Sequence, residues 1–142
     1  TENFESLDDG RTFAQNLVDE GADIVMPVAG PVGLGSAALA GELGTDKLLI
    51  IGVDSDQYNS DTANPGVYLT SVLKEMDVTT FNAIQSVVDG TFVGGVTVGT
   101  LENGGVSLAP FHDQEGAVSA ELAAALETIK AGIIDGSISA QG

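Results

Sequence analysis

An α/β fold with a mostly parallel sheet is predicted by three features of this 142-residue chain. Leu48-Leu49-Ile50-Ile51, continued by Gly52 and Val53, is a short uninterrupted apolar run. Such a run suits a strand covered on both faces. Helix and strand patterns alternate over the first two thirds of the chain, as they do when helices cross between parallel strands. The polar group Asp54-Ser55-Asp56-Gln57 follows the apolar run at once. Open α/β sheets take their ligands in that place, beyond the carboxyl ends of the strands.

Each element has a local reason. Ser6-Leu7-Asp8-Asp9 fits a cap followed three residues later by an acid, so a helix is predicted after it. Its apolar face is Phe13, Ala14, Leu17 and Val18, and Gly21 is its stop. Ala22–Ala29 reads as a buried strand, weakened by Pro27. Gly30-Pro31-Val32-Gly33-Leu34-Gly35-Ser36 reads as a Gly-rich turn into a second helix, which Gly44 ends. The central strand follows. Asn64-Pro65-Gly66 is a turn signal, and Val67–Leu73 reads as another strand. Asp77 can cap a third helix over 77–90, with Val78, Phe81, Ile84, Gln85 and Val88 on one face. Val96–Leu101 and Val106–Leu108 flank Asn103-Gly104, a strong short-range hairpin signal. A long amphipathic helix is predicted over 114–133, ending in a frayed tail from Gly136. A doubly wound layer normally opens with a strand, and only Thr1–Phe4 can supply one here, so the chain reads as part of something longer.

Composition narrows the function. Four cations face 21 acids, for a net charge of −17. Such a chain is predicted not to bind nucleic acid or an anionic membrane surface. The chain has no cysteine, which excludes disulfides, thiol chemistry and Cys-ligated metal. No segment approaches the ~18–20 apolar residues of a membrane span, and the start lacks a signal region.

The candidate chemistry is sparse. Asp54 and Asp56 read either as ligand acceptors or as caps of the next turn. Gly30-x-x-Gly33-x-Gly35 matches neither nucleotide-binding fingerprint. It reads either as a turn that turns backbone N–H groups toward a ligand or as a structural turn. Lys74 ends the strand Val67–Leu73 and so shares the sheet edge with Asp54, as a surface ion-pair partner or as a site cation. His112 is the only imidazole, and it reads as structural, holding the loop before the last helix. No pair of carboxylates with a credible nucleophile or base is present, so no enzyme, metal or cofactor is predicted.

Taken together, Gly21-Ala22-Asp23-Ile24-Val25, Val28-Ala29-Gly30, Gly52-Val53-Asp54-Ser55-Asp56-Gln57, Leu69-Thr70-Ser71-Val72-Leu73-Lys74, Gly90-x-Phe92-x-Gly94-Gly95 and Leu108-Ala109-Pro110-Phe111-His112 resemble one family. It is the basic membrane protein family, the substrate-binding lipoproteins that serve as nucleoside receptors of bacterial ABC importers. The resemblance covers nearly the whole chain. It implies a periplasmic-binding-protein-like lobe of type I over 1–142, with a C-terminal hairpin plus helix, this being the second lobe of a two-lobe protein whose first lobe lies outside this sequence. It implies a purine nucleoside as ligand and an ABC permease as partner. It also implies an extracytoplasmic, lipid-anchored full-length protein, of which this piece alone is soluble. Asp54 accepts from ribose hydroxyls in that scheme, Lys74 lies beside it, Gly30 presents backbone groups, and Asp56 and Gln57 support them. A sensing module of the same fold in a regulatory protein is the alternative. The helices over 77–90 and 114–135 are expected to pack on the other lobe or on a partner in a homodimer.

Overall fold

The computed structural model describes residues 4–140. It is an α/β structure in the order α1 (Leu7–Asp19), β1 (Ile24–Val25), α2 (Gly33–Leu43), β2 (Leu49–Asp54), α3 (Gln57–Ser60), β3 (Tyr68–Lys74), α4 (Met76–Val88), β4 (Val106–Leu108) and α5 (Ala120–Asp135). The strands form one sheet in the order β1-β2-β3-β4. β1 and β2 run parallel, with Ile24 opposite Leu49, and so do β2 and β3, with Gly52 opposite Ser71 and Asp54 opposite Leu73. Of the expected opening strand at Thr1–Phe4, only Phe4 lies among the described residues, and its carbonyl accepts the Val32 N–H at 3.2 Å.

The chain divides into two compact units. The first runs to Leu73 and resumes over Leu108–Ala117, and the second holds Lys74–Ser107 and the stretch from Val118 onward. The first unit has the core: Ala14, Val25, Ala37, Leu39, Ala40, Leu48, Ile50, Val67 and Tyr68. Each large apolar side chain there contributes roughly 1.5–3 kcal/mol of burial. α1 starts at the predicted cap, where Ser6 Oγ accepts the Asp9 N–H at 3.2 Å. Ala14 is its buried contact, whereas Phe13 and Leu17 of the predicted face are exposed. The reason lies in α2, which approaches so closely that only small residues fit between the helices. A Cβ at Gly10 would fall on the Val32 carbonyl, and one at Gly35 on the Leu7 carbonyl. Ser36 Oγ donates to the Gly10 carbonyl at 3.0 Å inside the same seam.

Several predicted elements change in form. The strand expected over Ala22–Ala29 shrinks to Ile24–Val25, since Pro27 has no N–H to give a ladder. The expected Gly-rich turn is helical. A 3₁₀ turn, Gly30–Val32, runs straight into α2, and Gly33 and Gly35 lie inside that helix. Gly44, at φ 92°, ends α2 as expected. In the second unit α4 starts one residue before Asp77, with Glu75 at its N-cap. The reversal at Asn103-Gly104 forms, with Asn103 Oδ1 accepting the Thr100 N–H at 2.8 Å and the Gly105 N–H at 3.0 Å. Only the arm Val106–Leu108 is a strand; 96–101 is irregular. The last helix starts later than expected, at Ala120, because Ser119 caps it by accepting the Leu122 N–H at 3.1 Å. Residues from Gln114 to Ala117 belong instead to a 3₁₀ turn, His112–Ala117. The expected frayed tail turns back after Gly136, with the Ile138 N–H on the Gly132 carbonyl at 2.9 Å; Gln141 and Gly142 lie outside the described residues.

Candidate functional site

The carboxyl end of β2 delivers Asp54 in a left-handed conformation, φ 71°. Few residues other than Gly enter that region, and Asp is among the more tolerant. The chain then turns sharply, the Ser55 N–H reaching the Val53 carbonyl at 2.9 Å. Asp56 sits at the N-cap of the short helix α3. Gln57 folds back over β2: its N–H donates to Ser71 Oγ at 3.1 Å and its Nε2 to the Val53 carbonyl at 3.2 Å. Gly52 makes room for this, since a Cβ there would meet Ser71 Oγ and lie 3.0 Å from Gln57 Oε1. The glycine, the buried Ser71 and Gln57 are therefore one arrangement that fixes where β2 ends.

Asp56 does not cap α3 with its side chain. Its Oδ2 accepts from Asn59 Nδ2 at 2.7 Å and faces His112 Nε2 at 2.8 Å. A carboxylate only accepts, so Nε2 carries the proton of that bond. Asp56 Oδ1 is buried without a partner. His112 also lies flat on Tyr58, ring centroids 4.0 Å apart and planes at 10°. The Tyr58 hydroxyl donates to Asp113 Oδ2 at 3.2 Å. That bond to a carboxylate, more than any other influence, raises the Tyr58 ionisation above the ordinary phenol range.

Asp54, Asp56 and Gln57 therefore occupy the carboxyl end of β2, and Gly30, at φ 58°, follows the neighbouring parallel strand β1. Lys74 ends β3 and belongs to the second unit. There it lines a cavity of about 200 Å³ with Glu75, Met76, Thr79, Gly99, Gly105 and Val106. Sequence reasoning did not find the link from His112 to Asp56 and Tyr58, because partners 56 residues apart leave no local signal. Among the described residues, no group of three or more His, Asp or Glu side chains is placed to hold a metal ion. No described helix is long and apolar enough to cross a membrane.

Comparison with known proteins adds a family to this geometry. The family described as ABC transporter substrate-binding protein PnrA-like matches residues 1–141. The chain is 34% identical, over 147 residues, to the ABC transporter nucleoside-binding protein BmpA of Lactococcus lactis, covering 95% of this chain and 40% of that protein. It is 31% identical over 146 residues to the CD4+ T-cell-stimulating antigen of Listeria monocytogenes, again covering 95% of this chain and 40% of the relative. An uncharacterised lipoprotein of Pyrococcus abyssi is 36% identical over 99 residues, 67% of this chain and 24% of that one. The chain thus spans about two fifths of the length of the first two relatives. Among solved structures, a transcriptional activator of the comK gene from Bacillus halodurans superposes with a TM-score of 0.83 at 18% identity, over 99% of this chain and 47% of that one. An ABC transporter solute-binding protein from Aeropyrum pernix superposes with a TM-score of 0.79 at 24% identity, over 96% and 45%. These structural likenesses establish the fold, and the family match with the relatives' identity establishes descent: this chain belongs to the PnrA-like family of ABC transporter substrate-binding proteins.

Proposed function

We propose that this chain supplies a ligand-binding lobe of an extracytoplasmic, lipid-anchored receptor that captures a purine nucleoside and delivers it, unchanged, to an ABC permease. The observation that carries the reading is Asp54, held at φ 71° at the carboxyl end of β2. A ribose presents adjacent hydroxyls, and one carboxylate can accept from two of them. Hydrogen bonds to a charged acceptor are worth roughly 1.5–3 kcal/mol each. The backbone at Gly30 and the side chains of Asp56 and Gln57 complete the proposed ligand shell of the first unit, and Lys74 of the second unit is proposed as a further ligand residue. The 34% identity to a protein named for nucleoside binding supports the ligand class. Membership of a family described as ABC transporter substrate-binding proteins supports capture without conversion. The partner proposal includes a second copy of the chain on the apolar face of α4.

The test is calorimetric titration of adenosine, guanosine, inosine and free ribose into the full-length protein. Asp54→Ala is expected to weaken nucleoside binding at least about tenfold, or roughly 1.4 kcal/mol. Product analysis after incubation is expected to return the nucleoside intact. Wild-type affinity in Asp54→Ala would reduce the carboxylate to a turn residue and sink the site.

A further inference from the structure

The cluster around His112 reaches beyond holding its own loop. α3 is a four-residue helix with no side-chain cap bond. A single turn of helix does not persist on its own hydrogen bonds, because nucleation costs more than one turn returns. Something else must fix the turn that displays Asp56 and Gln57. Ser71 grips one end, at the Gln57 N–H. Tyr68 holds the other end, its hydroxyl donating to the C-cap Asp61 at 2.9 Å, and a further grip comes from a segment distant in sequence. Asp56 turns its side chain away from the capping position toward His112 Nε2 at 2.8 Å, and Tyr58 stacks on the same ring.

His112 makes an effective anchor because its own segment is fixed independently. The Ala109 N–H donates to the Ser71 carbonyl at 2.9 Å, and Thr70 Oγ1 donates to the Ala109 carbonyl at 2.7 Å. Beyond the histidine, Gln114 Nε2 donates to the Gly66 carbonyl at 2.5 Å. Between these ties His112 holds φ 44°, a conformation that a non-Gly residue keeps only where its surroundings over-determine it.

We propose that His112 is a positioning residue: through its bond to Asp56 and its stack on Tyr58 it fixes the turn Ser55–Ser60 that presents the strand-end site. The consequence for ligand affinity rests on the reading of Asp54, Asp56 and Gln57 as ligand residues. The turn itself is tested without ligand.

Hydrogen exchange reads the turn directly. The Asn59 and Ser60 amides bond to the Asp56 carbonyl and the Asp61 amide to the Gln57 carbonyl. In His112→Ala these three amides are expected to exchange about tenfold faster or more, while Ile50 in the core strand keeps its wild-type protection. His112→Asn should recover part of the protection, because Asn tolerates positive φ and restores a donor. Tyr58→Ala, which leaves the histidine in place, should open the same amides and serves if His112→Ala does not fold. Equal acceleration at Ile50 would mean a general stability role, and unchanged exchange at residues 59–61 would mean no hold on the turn; either result overturns the proposal. In the full-length protein, His112→Ala should also raise the nucleoside Kd about tenfold with partial rescue by His112→Asn. If Asp54→Ala binds like wild type, the ligand reading fails, and the exchange data still decide the role of His112. If Asp54→Ala weakens binding and His112→Ala does not, the positioning role is overturned while the ligand site stands.

Discussion

Tyr68 is buried at the start of β3, and its hydroxyl donates to Asp61 Oδ2 at 2.9 Å. Asp61 also ties its own loop, accepting from the Ala63 and Asn64 amides through Oδ1. Burial, and after it the bond to Asp61, pushes the Tyr68 ionisation far above the ordinary phenol value. The linkage sign follows from that direction. A group whose pKa is raised on folding stabilises the fold fully below its unfolded value, about 10 for tyrosine, and loses that contribution as pH rises toward the folded value. Thermal unfolding followed upward from about pH 9 should therefore show a falling Tm beginning near pH 10. The slope should be shallower in Tyr68→Phe, even though that variant starts less stable with Asp61 Oδ2 deprived of its donor. Equal slopes in the two proteins would remove Tyr68 from the account. The exposed pair Arg11–Glu42 has the shorter contacts, 2.6 and 2.5 Å, yet an exposed ion pair contributes little.

At the scale of elements, the α1–α2 seam decides more than any side-chain pair. Gly35→Ala puts a methyl on the Leu7 carbonyl and within 2.9 Å of the Arg11 nitrogen. Both are backbone, so relief requires moving a helix. Such overpacking costs about 1–3 kcal/mol. Gly116→Ala, with nothing within 4 Å of its new methyl, is the control and should change little. Urea unfolding of both variants measures the difference. The same seam shows which parts of the fold were legible in the sequence. Local chemistry was legible: Ser6 as a cap, Gly44 as a stop, and Leu48–Val53 as a buried strand all follow from neighbouring residues. Gly33 and Gly35 read as a turn in the sequence but lie in a helix, where Gly35 makes room for α1 and Gly33 for Pro27, contacts that no local pattern records. Asn103-Gly104 predicted its reversal correctly, but a reversal does not make both of its arms strands. The site divides in the same way. The placement of Asp54, Asp56 and Gln57 at the carboxyl end of β2 was readable, because they directly follow an apolar run in the sequence. The His112 bond to Asp56 joins two stretches that only the fold brings together.

On the scale of the molecule, the units differ in kind. The first has a buried core, while in the second the described helices bury no large side chain. Phe81, Ile84 and Val88 on α4 are 64%, 61% and 75% exposed. Contiguous apolar surface of this sort marks an interaction site. Residues Val78–Val88 include no charged side chain, in a chain of net charge −17. A second copy docked along that stretch would meet no like charge from it. Repulsion between the copies is screened over about 10 Å at 0.1 M salt and more strongly above it. Light scattering of this chain should show a mass that rises toward the dimer with concentration and with sodium chloride. Phe81→Glu combined with Ile84→Glu should hold it monomeric. A concentration-independent monomer at every salt level would exclude the dimer.

The chain passes from the first unit to the second after Leu73, returns at Leu108 and leaves again after Ala117. This route gives the strand-end site an order of completion during synthesis. Asp56, Tyr58, Gly66 and Ser71 leave the ribosome early, whereas Ala109, His112 and Gln114 follow only after the whole of Lys74–Ser107. At the ~5–20 residues per second of translation, the early half stands for seconds with Asp56 unclasped and the Ser71 carbonyl without its amide. The nascent first unit thus has its core residues in hand before the end of its sheet is tied, and the last stitch there is made by a segment already on its way to α5.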